Sequence, residues 1–441
     1  MELRRISVNN LFGILNYDID LGNSETIIIT GPNGYGKTML LKIIDNILNK
    51  NIDFFFDLRF EEIKFELDTI LLCIEKQKNK NVAVTVVDYV NDKKRQEVFT
   101  LNKNKELDVD YFDEIYNKLL ICDNIDSDPI LKSYNHEEIL NYYKIKKIKL
   151  HKEKHHKSDF LDKSIPNAEL TFIKAQRIEN IKNEKSAIES QANFLLELIK
   201  RAAEESAQIS QRLDSTFPAR LFDSINENIS STSINDRLIG IQRKRELFMK
   251  FGIIKSEDTF IPRKFSNATL GKEYSTVLNL YISDALEKLS PYEELFEKIN
   301  LFVNLLNEKM LAFKEIKISN EHGFYFQSDN GERISLSNLS SGEQNQIVIY
   351  FDLIFKAKQN SVILIDEPEI SLHVAWQKEF LDSIARIQKL NEFSKIIIAT
   401  HSPQIVNNNW DITYDGTVAK LAMRQPFVLF KGLTFQKLCL P

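Results

Sequence analysis

"GPNGYGKTML" (residues 31–40) sets three glycines, Gly31, Gly34 and Gly36, just ahead of Lys37 and Thr38. Before it, "ETIIIT" (25–30) is a β-branched run that reads as a buried strand, and after it "MLLKIIDNIL" (39–48) has helical spacing. Strand, glycine-rich turn and helix, in that order, are the setting in which Gly-x4-Gly-Lys-Thr cradles phosphate. The glycines let the backbone curl until its N–H groups and the helix N-terminus face anionic oxygens. Lys37 then serves the β- and γ-phosphates, the Thr38 hydroxyl serves Mg²⁺, and Asn33, Gly34 and Gly36 line the loop. The competing reading is a chance glycine-rich turn, and the flanking strand and helix argue against it.

Three further motifs follow far downstream. "SVILIDEPEISLH" (361–373) runs four apolar residues into Asp366 and Glu367. Two carboxylates ending a buried strand are costly unless they meet a cation or water. Asp366 suits Mg²⁺, and Glu367 suits a general base that polarises the attacking water. "NLSSGEQNQIVIYFDLIF" (338–355) places Ser340, Gly342 and Glu343 at the start of a helical pattern. Two readings stand there, an anion-binding helix N-terminus and simple helix capping. "KIIIATHSPQIV" (395–406) is a β-branched strand ending at Thr400-His401-Ser402. His401 is either a packed core residue or a sensor of the γ-phosphate.

Loop, serine-glycine signature, Asp-Glu strand and terminal histidine, in that order, resemble an ABC-type ATPase. The resemblance implies an α/β head with a mixed sheet and an antiparallel lobe, using ATP and Mg²⁺. It also implies that two heads meet face to face. ATP then lies between the loop of one copy (Gly31, Gly36, Lys37, Thr38) and the signature of the other (Ser340, Gly342). Glu367 is the implied catalytic base and His401 the switch histidine. Gln176, which ends the strand-like "LTFIKAQRI" (170–178), is the implied Q-loop residue at Mg²⁺ or its water; the plain alternative is a strand with a polar end.

About 300 residues separate loop from signature. That spacing resembles the SMC, Rad50, RecF and OLD group of heads rather than transporter ATPases. The segments are then an N-terminal part of the head (1–103), a lysine-rich insert (104–168), the Gln176 strand (169–180), a helical, coiled-coil insertion (181–312) and a C-terminal part of the head (313–441). "EIKFEL" (62–67) and "VAVTVVDYV" (82–90) read as strands of the antiparallel lobe. Within the insertion, Ile188, Ala192, Leu195, Ile199, Ala202, Ser206, Ile209 and Leu213 recur at spacings of four and three, which fits a heptad seam or a long amphipathic helix. A second helix starts at "SPYEELFEKINLF" (290–302), with Ser290 as cap, Glu293 closing a capping box, and a stripe of Leu295, Ile299, Phe302 and Leu306. "FKEIKIS" (313–319) and "GFYFQSD" (323–329) form a hairpin. No Cys-x-x-Cys marks a zinc hook.

"DEPEISLH" ends in Leu372-His373 where SMC-like heads have Leu-Asp. Together with "THSPQIV" this resembles the OLD-like ATPases of bacterial phage-defence systems such as Septu, PARIS and some retrons. His373 either takes the aspartate's part in signalling across the dimer or faces the partner head. After His401 the only acids are Asp411 and Asp415, too few for a Toprim nuclease, so the expected effector nuclease is a separate chain.

The whole chain of 441 residues carries a net charge of −5, with no global field for nucleic acid. A local one runs from Lys144 to Lys157, rich in lysine and histidine, and reads as a site for DNA, for an acidic DNA-mimic protein, or as a solvated loop. Three cysteines, Cys73, Cys122 and Cys439, form neither a disulfide framework nor a zinc pattern. With no apolar signal core or spanning run, the expected place is the cytoplasm, with no membrane partner. The expected function is a nucleotide-gated sensor and scaffold that forms head dimers and larger homo-oligomers and controls a nuclease. The alternative is a RecF-like ATPase clamping DNA.

Overall fold

The computed structural model describes residues 3–22, 24–77, 81–100, 159–175, 187–224, 231–254, 272–309, 311 and 313–415. Gln176, the stretch from Lys144 to Lys157 and the tail 416–441 lie outside them. Two compact units divide the chain, residues 1–172, 359–367 and 393–441 in one, and 173–358 and 368–392 in the other. The fold is α/β in class.

The first unit contains an antiparallel sheet of six strands, β1 (Leu3–Leu11), β2 (Leu15–Asp20), β4 (Glu62–Leu67), β5 (Ile70–Lys76), β6 (Val82–Asp88) and β7 (Lys93–Phe99), in the order β2-β1-β4-β5-β6-β7. The expected strands "EIKFEL" and "VAVTVVD" are β4 and β6. Along β4 the apolar residues Ile63, Phe65 and Leu67 are buried and Lys64 is exposed, the period-two pattern of a half-covered sheet. A second sheet runs β14-β3-β13-β12-β8, with β3 (Thr26–Thr30), β8 (Leu170–Ile173), β12 (Val362–Asp366), β13 (Lys395–Ala399) and β14 (Thr413–Asp415). Here β3 pairs in parallel with β13 and β14, and β13 with β12. Every residue of β12 and β13 is buried, as expected of parallel strands flanked on both edges. Lys395, 2% exposed, is tolerated because its ammonium donates to the carbonyls of Leu21, Gly22 and Ser24 at 2.8–3.0 Å.

Helix α1 (Lys37–Leu48) packs on β12 and β13, with Leu40, Leu41, Ile43, Ile44 and Ile47 buried. A short helix α2 (Phe54–Asp57) adds Phe55 and Phe56 to the core. Helix α3 (Asp159–Ser164) brings Leu161 into it, and Ile165 follows. The residues just before 168 therefore pack with the first unit's core, although the sequence groups them with the lysine-rich insert.

The second unit is built from α4 (Ala187–Ser224), α5 (Ser231–Lys250), α6 (Lys272–Leu289), α7 (Glu293–Lys309), α8 (Ser341–Phe351) and α9 (Val374–Asn391). A three-stranded sheet, β11-β10-β9, joins them, and its β9 (Lys314–Ser319) and β10 (Gly323–Ser328) form the expected hairpin, with β11 (Arg333–Ile334) beside it. The heptad positions Ile188, Ala192, Leu195, Ile199, Ala202 and Leu213 of α4 are buried. Several elements share that seam: α4 packs on α6, β10, α7 and α8. Phe302, Phe324, Phe351 and Phe355 meet at ring-centroid distances of 4.7–6.0 Å and tie α7 and α8 to the sheet. That packing groups the signature helix with the insertion, whereas the sequence places 313–441 together.

The start of α7 differs from its sequence reading. Leu289 stays helical (φ −88°, ψ −16°), and a 3-10 turn over Ser290–Tyr292 carries α6 straight into α7. Without an extended residue there is no cap position. The Ser290 hydroxyl donates instead to the Glu287 carbonyl, and Glu293 pairs with Lys244. The stripe Leu295, Ile299, Phe302 and Leu306 is buried as expected. Among the described residues no helix is long and apolar enough to cross a membrane.

Candidate functional site

In the first unit, the parallel register puts Ile29, Ala399 and Asp366 side by side on β3, β13 and β12. The loop after β3, the carboxylates ending β12 and the histidine after β13 therefore share the carboxyl edge of one sheet, where open α/β sheets bind ligands. Residues more than 300 positions apart reach one place through strand order alone.

The loop takes the shape its glycines permit. Gly31, Gly34 and Gly36 have φ of 147°, 81° and 77°, values that disfavour a side chain. Asn33 and Gly34 are exposed at its crest. Gly36 is the N-cap of α1; no side chain caps that helix and no acid lies in its first turn. The Lys37 ammonium, on a residue only 5% exposed, donates to the carbonyls of Gly31 (2.7 Å) and Pro32 (3.1 Å). Thr38 Oγ1 donates to Asp366 Oδ1 at 3.0 Å, and Asp366 is 2% exposed. A hydroxyl and a carboxylate at that spacing are hard oxygen donors suited to Mg²⁺. The N-terminus of α1, free of side-chain caps and acids, suits a phosphate. The residues present fit a magnesium nucleotide.

Glu367 sits at φ 44°, in the left-handed region that costs a non-glycine residue about 1–2 kcal/mol. Its amide donates to the Ala399 carbonyl at 2.8 Å, which anchors it to the neighbouring strand. His401 Nδ1 lies 4.0 Å from Glu367 Oε1, and both side chains are partly open to solvent. The Thr400 amide donates to the Ile29 carbonyl, and Ser402 caps the one-turn helix α10 (Pro403–Val406) by accepting from the Gln404 amide. The histidine is thus carried between a bonded residue and a cap.

The signature residues belong to the second unit. Ser340 is the N-cap of α8, its hydroxyl accepting from the Glu343 amide, while Glu343 accepts from the Ser340 amide at 2.8 Å. Lys314 donates to the Glu343 carboxylate at 2.9 Å. Burial of Glu343 works to raise its carboxyl, but Lys314 and Ser340 outweigh burial and hold it below the ordinary range. The capping reading is thus realised in full. Gly342 is required by contact: a Cβ there would stand 2.4 Å from the Ser371 carbonyl and 3.3 Å from the Trp376 ring. His373 is the N-cap of α9, Nδ1 accepting from the Ala375 amide at 3.3 Å.

Lys314 and Tyr17 carry no sequence signal. The Tyr17 hydroxyl lies 3.5 Å from where a Cβ of Gly36 would be, buried and with no hydrogen-bond partner among the described residues. Burial, then the phenols of Tyr414 and Tyr35, push it up to about 12.

The sequence profile of the AAA ATPase domain family matches residues 1–406. A comparison with curated proteins returns no match. Among solved structures, an SMC head bound to the C-winged helix domain of ScpA overlaps with a TM-score of 0.34 at 10% identity, over 92% of each chain. The SMC head domain from Thermotoga maritima overlaps at 0.29 and 11% identity, over 92% of this chain and 91% of that one. Scores this low record a likeness and carry no argument.

Proposed function

Because the chain belongs to the AAA ATPase domain family, we propose that it binds and hydrolyses Mg²⁺-ATP at the carboxyl edge of its parallel sheet, as a nucleotide-gated switch. The observation that carries this reading is the 3.0 Å contact between Thr38 and Asp366, which joins loop and strand into one ligand set. The loop amides and Lys37 would hold the β- and γ-phosphates, and Thr38 and Asp366 would hold Mg²⁺, with Gln176 the further candidate that the resemblance implies. The ion would supply charge neutralisation on the phosphate oxygens. Glu367 accepts the proton of the attacking water, and His401 senses the γ-phosphate as the switch histidine. Ser340, Gly342 and Glu343 of a second copy complete the site, so that ATP closes a dimer of heads.

The finer reading is a sensor and scaffold in bacterial phage defence that controls a separate effector nuclease. Its support is the likeness of "DEPEISLH" and "THSPQIV" to those ATPases. A switch of this kind needs only that its nucleotide states differ in affinity for the effector. Glu367→Gln is expected to bind ATP, lose most hydrolysis and accumulate dimers by light scattering. Wild-type turnover in that variant removes Glu367 as the base. The protein purified from its own operon, with and without ATP, is expected to bring a nuclease chain with it. Duplex DNA held only with ATP, and no partner chain, supports the RecF-like clamp instead.

A further inference from the structure

We propose that Lys314 is a positioning residue of the signature: it holds Glu343 so that the one hydroxyl proton of Ser340 can turn to a partner copy's γ-phosphate. The proposal rests on the reading that ATP bridges two copies at Ser340, Gly342 and Glu343.

Ser340 is exposed, and Glu343, three residues further along α8, is buried. Their side chains share more than the cap. The Ser340 hydroxyl lies 2.9 Å from Glu343 Oε2, and because an ionised carboxylate only accepts, the hydroxyl is the donor. A serine has one such proton. A phosphate oxygen also accepts, so the proton committed to Glu343 has to leave it before Ser340 can donate to an incoming anion. That release has two costs. A buried carboxylate oxygen loses a donor, and its negative charge is left beneath a second one.

Lys314 offsets both. Its ammonium lies 2.9 Å from Oε2 and 2.8 Å from Oε1, so it spans the carboxylate whichever way the serine hydroxyl points. The Ser340 amide, 2.8 Å from Oε2, stays in place as well. The Lys314 and Glu343 side chains are only 18% and 7% exposed, so salt and water screen the pair weakly. Lys314 is itself fixed from outside the signature. It opens β9 opposite Ser328 of β10, and two residues on, the Ile316 amide donates to Asn307 Oδ1 of α7 at 2.9 Å. The cation that readies the signature is therefore delivered by a strand tied to the helical insertion.

ATP-driven dimerisation of the full chain, followed by analytical ultracentrifugation in the Glu367→Gln background, tests this. Adding Lys314→Met is expected to leave the single chain's ATP affinity unchanged and to weaken the dimer on the order of tenfold. The loss should shrink when Ser340→Ala is also present, since no hydroxyl proton is left to release. Lys314→Met with Glu343→Gln, which buries no lone carboxylate and keeps a glutamine able to cap, should dimerise nearly as the parent does. Full dimer affinity in Lys314→Met overturns the proposal and leaves the two-copy reading standing. An equal loss with and without Ser340→Ala overturns it as well, because Lys314 is then a purely structural residue. So does a weak dimer in the double variant, which holds the test open if Lys314→Met alone fails to fold. A parent chain that binds ATP yet stays monomeric overturns the two-copy reading and the proposal with it.

Discussion

Two helix N-termini, those of α1 and α8, were both candidates for phosphate, and they are built in opposite ways. At α1 the cap is a left-handed glycine, with no side-chain cap and no acid in the first turn. At α8 a serine and a glutamate satisfy one another, and Lys314 neutralises the glutamate. The first leaves its positive end for an anion from outside, and the second already carries a carboxylate there. A nucleotide arriving at α8 must share that end with Glu343. The comparison teaches that a helix start rich in serine and glycine can be complete in itself.

The largest expected effect is at α1. Lys37→Ala should lose ATP binding by about 100-fold, since a charge-assisted contact to phosphate goes with it. Lys314→Met should leave ATP binding by the single chain unchanged and lower the thermal midpoint. Equal losses of affinity in the two variants would break the contrast. Next come the glycines. Gly342→Ala meets backbone at 2.4 Å and should cost about 2 kcal/mol in urea unfolding. Gly34→Ala, with nothing within 4 Å of its Cβ position, should cost only about 1 kcal/mol, from its φ of 81°. Ser340→Ala should cost about 1 kcal/mol by loss of the cap.

The smallest effect is on pH dependence. The folded-state pKa of Glu343 lies below the ordinary 4.5, so its contribution is fully present above that value. It is lost as pH falls through the lower folded-state value. Glu343→Gln should flatten this part of the acid decline in unfolding free energy; a decline parallel to wild type would mean that the carboxylate is not what Lys314 and Ser340 stabilise.

Much of the nucleotide edge was legible in local patterns. β3, β12 and β13 are short runs of branched apolar residues, and the polar groups of the edge stand at or just beyond their carboxyl ends, because a strand buried on both faces has little room for polarity within it. The β9–β10 hairpin was legible from its two short strand-like runs, and the α7 stripe from the helical spacing of Leu295, Ile299, Phe302 and Leu306. The Ser290 cap was misread because cap residues and 3-10 turns share the Ser-Pro signal, and only the packing of Leu289 and Tyr292 decides between them.

By itself, the sequence determined the phosphate loop, the carboxylate strand, the histidine strand and their order along the chain, since each depends on residues within a few positions of one another. Only the tertiary structure decided that Thr38 meets Asp366, that Gly342 is glycine because of the Ser371 carbonyl, and that Glu343 answers to Lys314. Those contacts join residues 29 to 328 positions apart, and strand order and helix packing, which no local pattern encodes, bring them together.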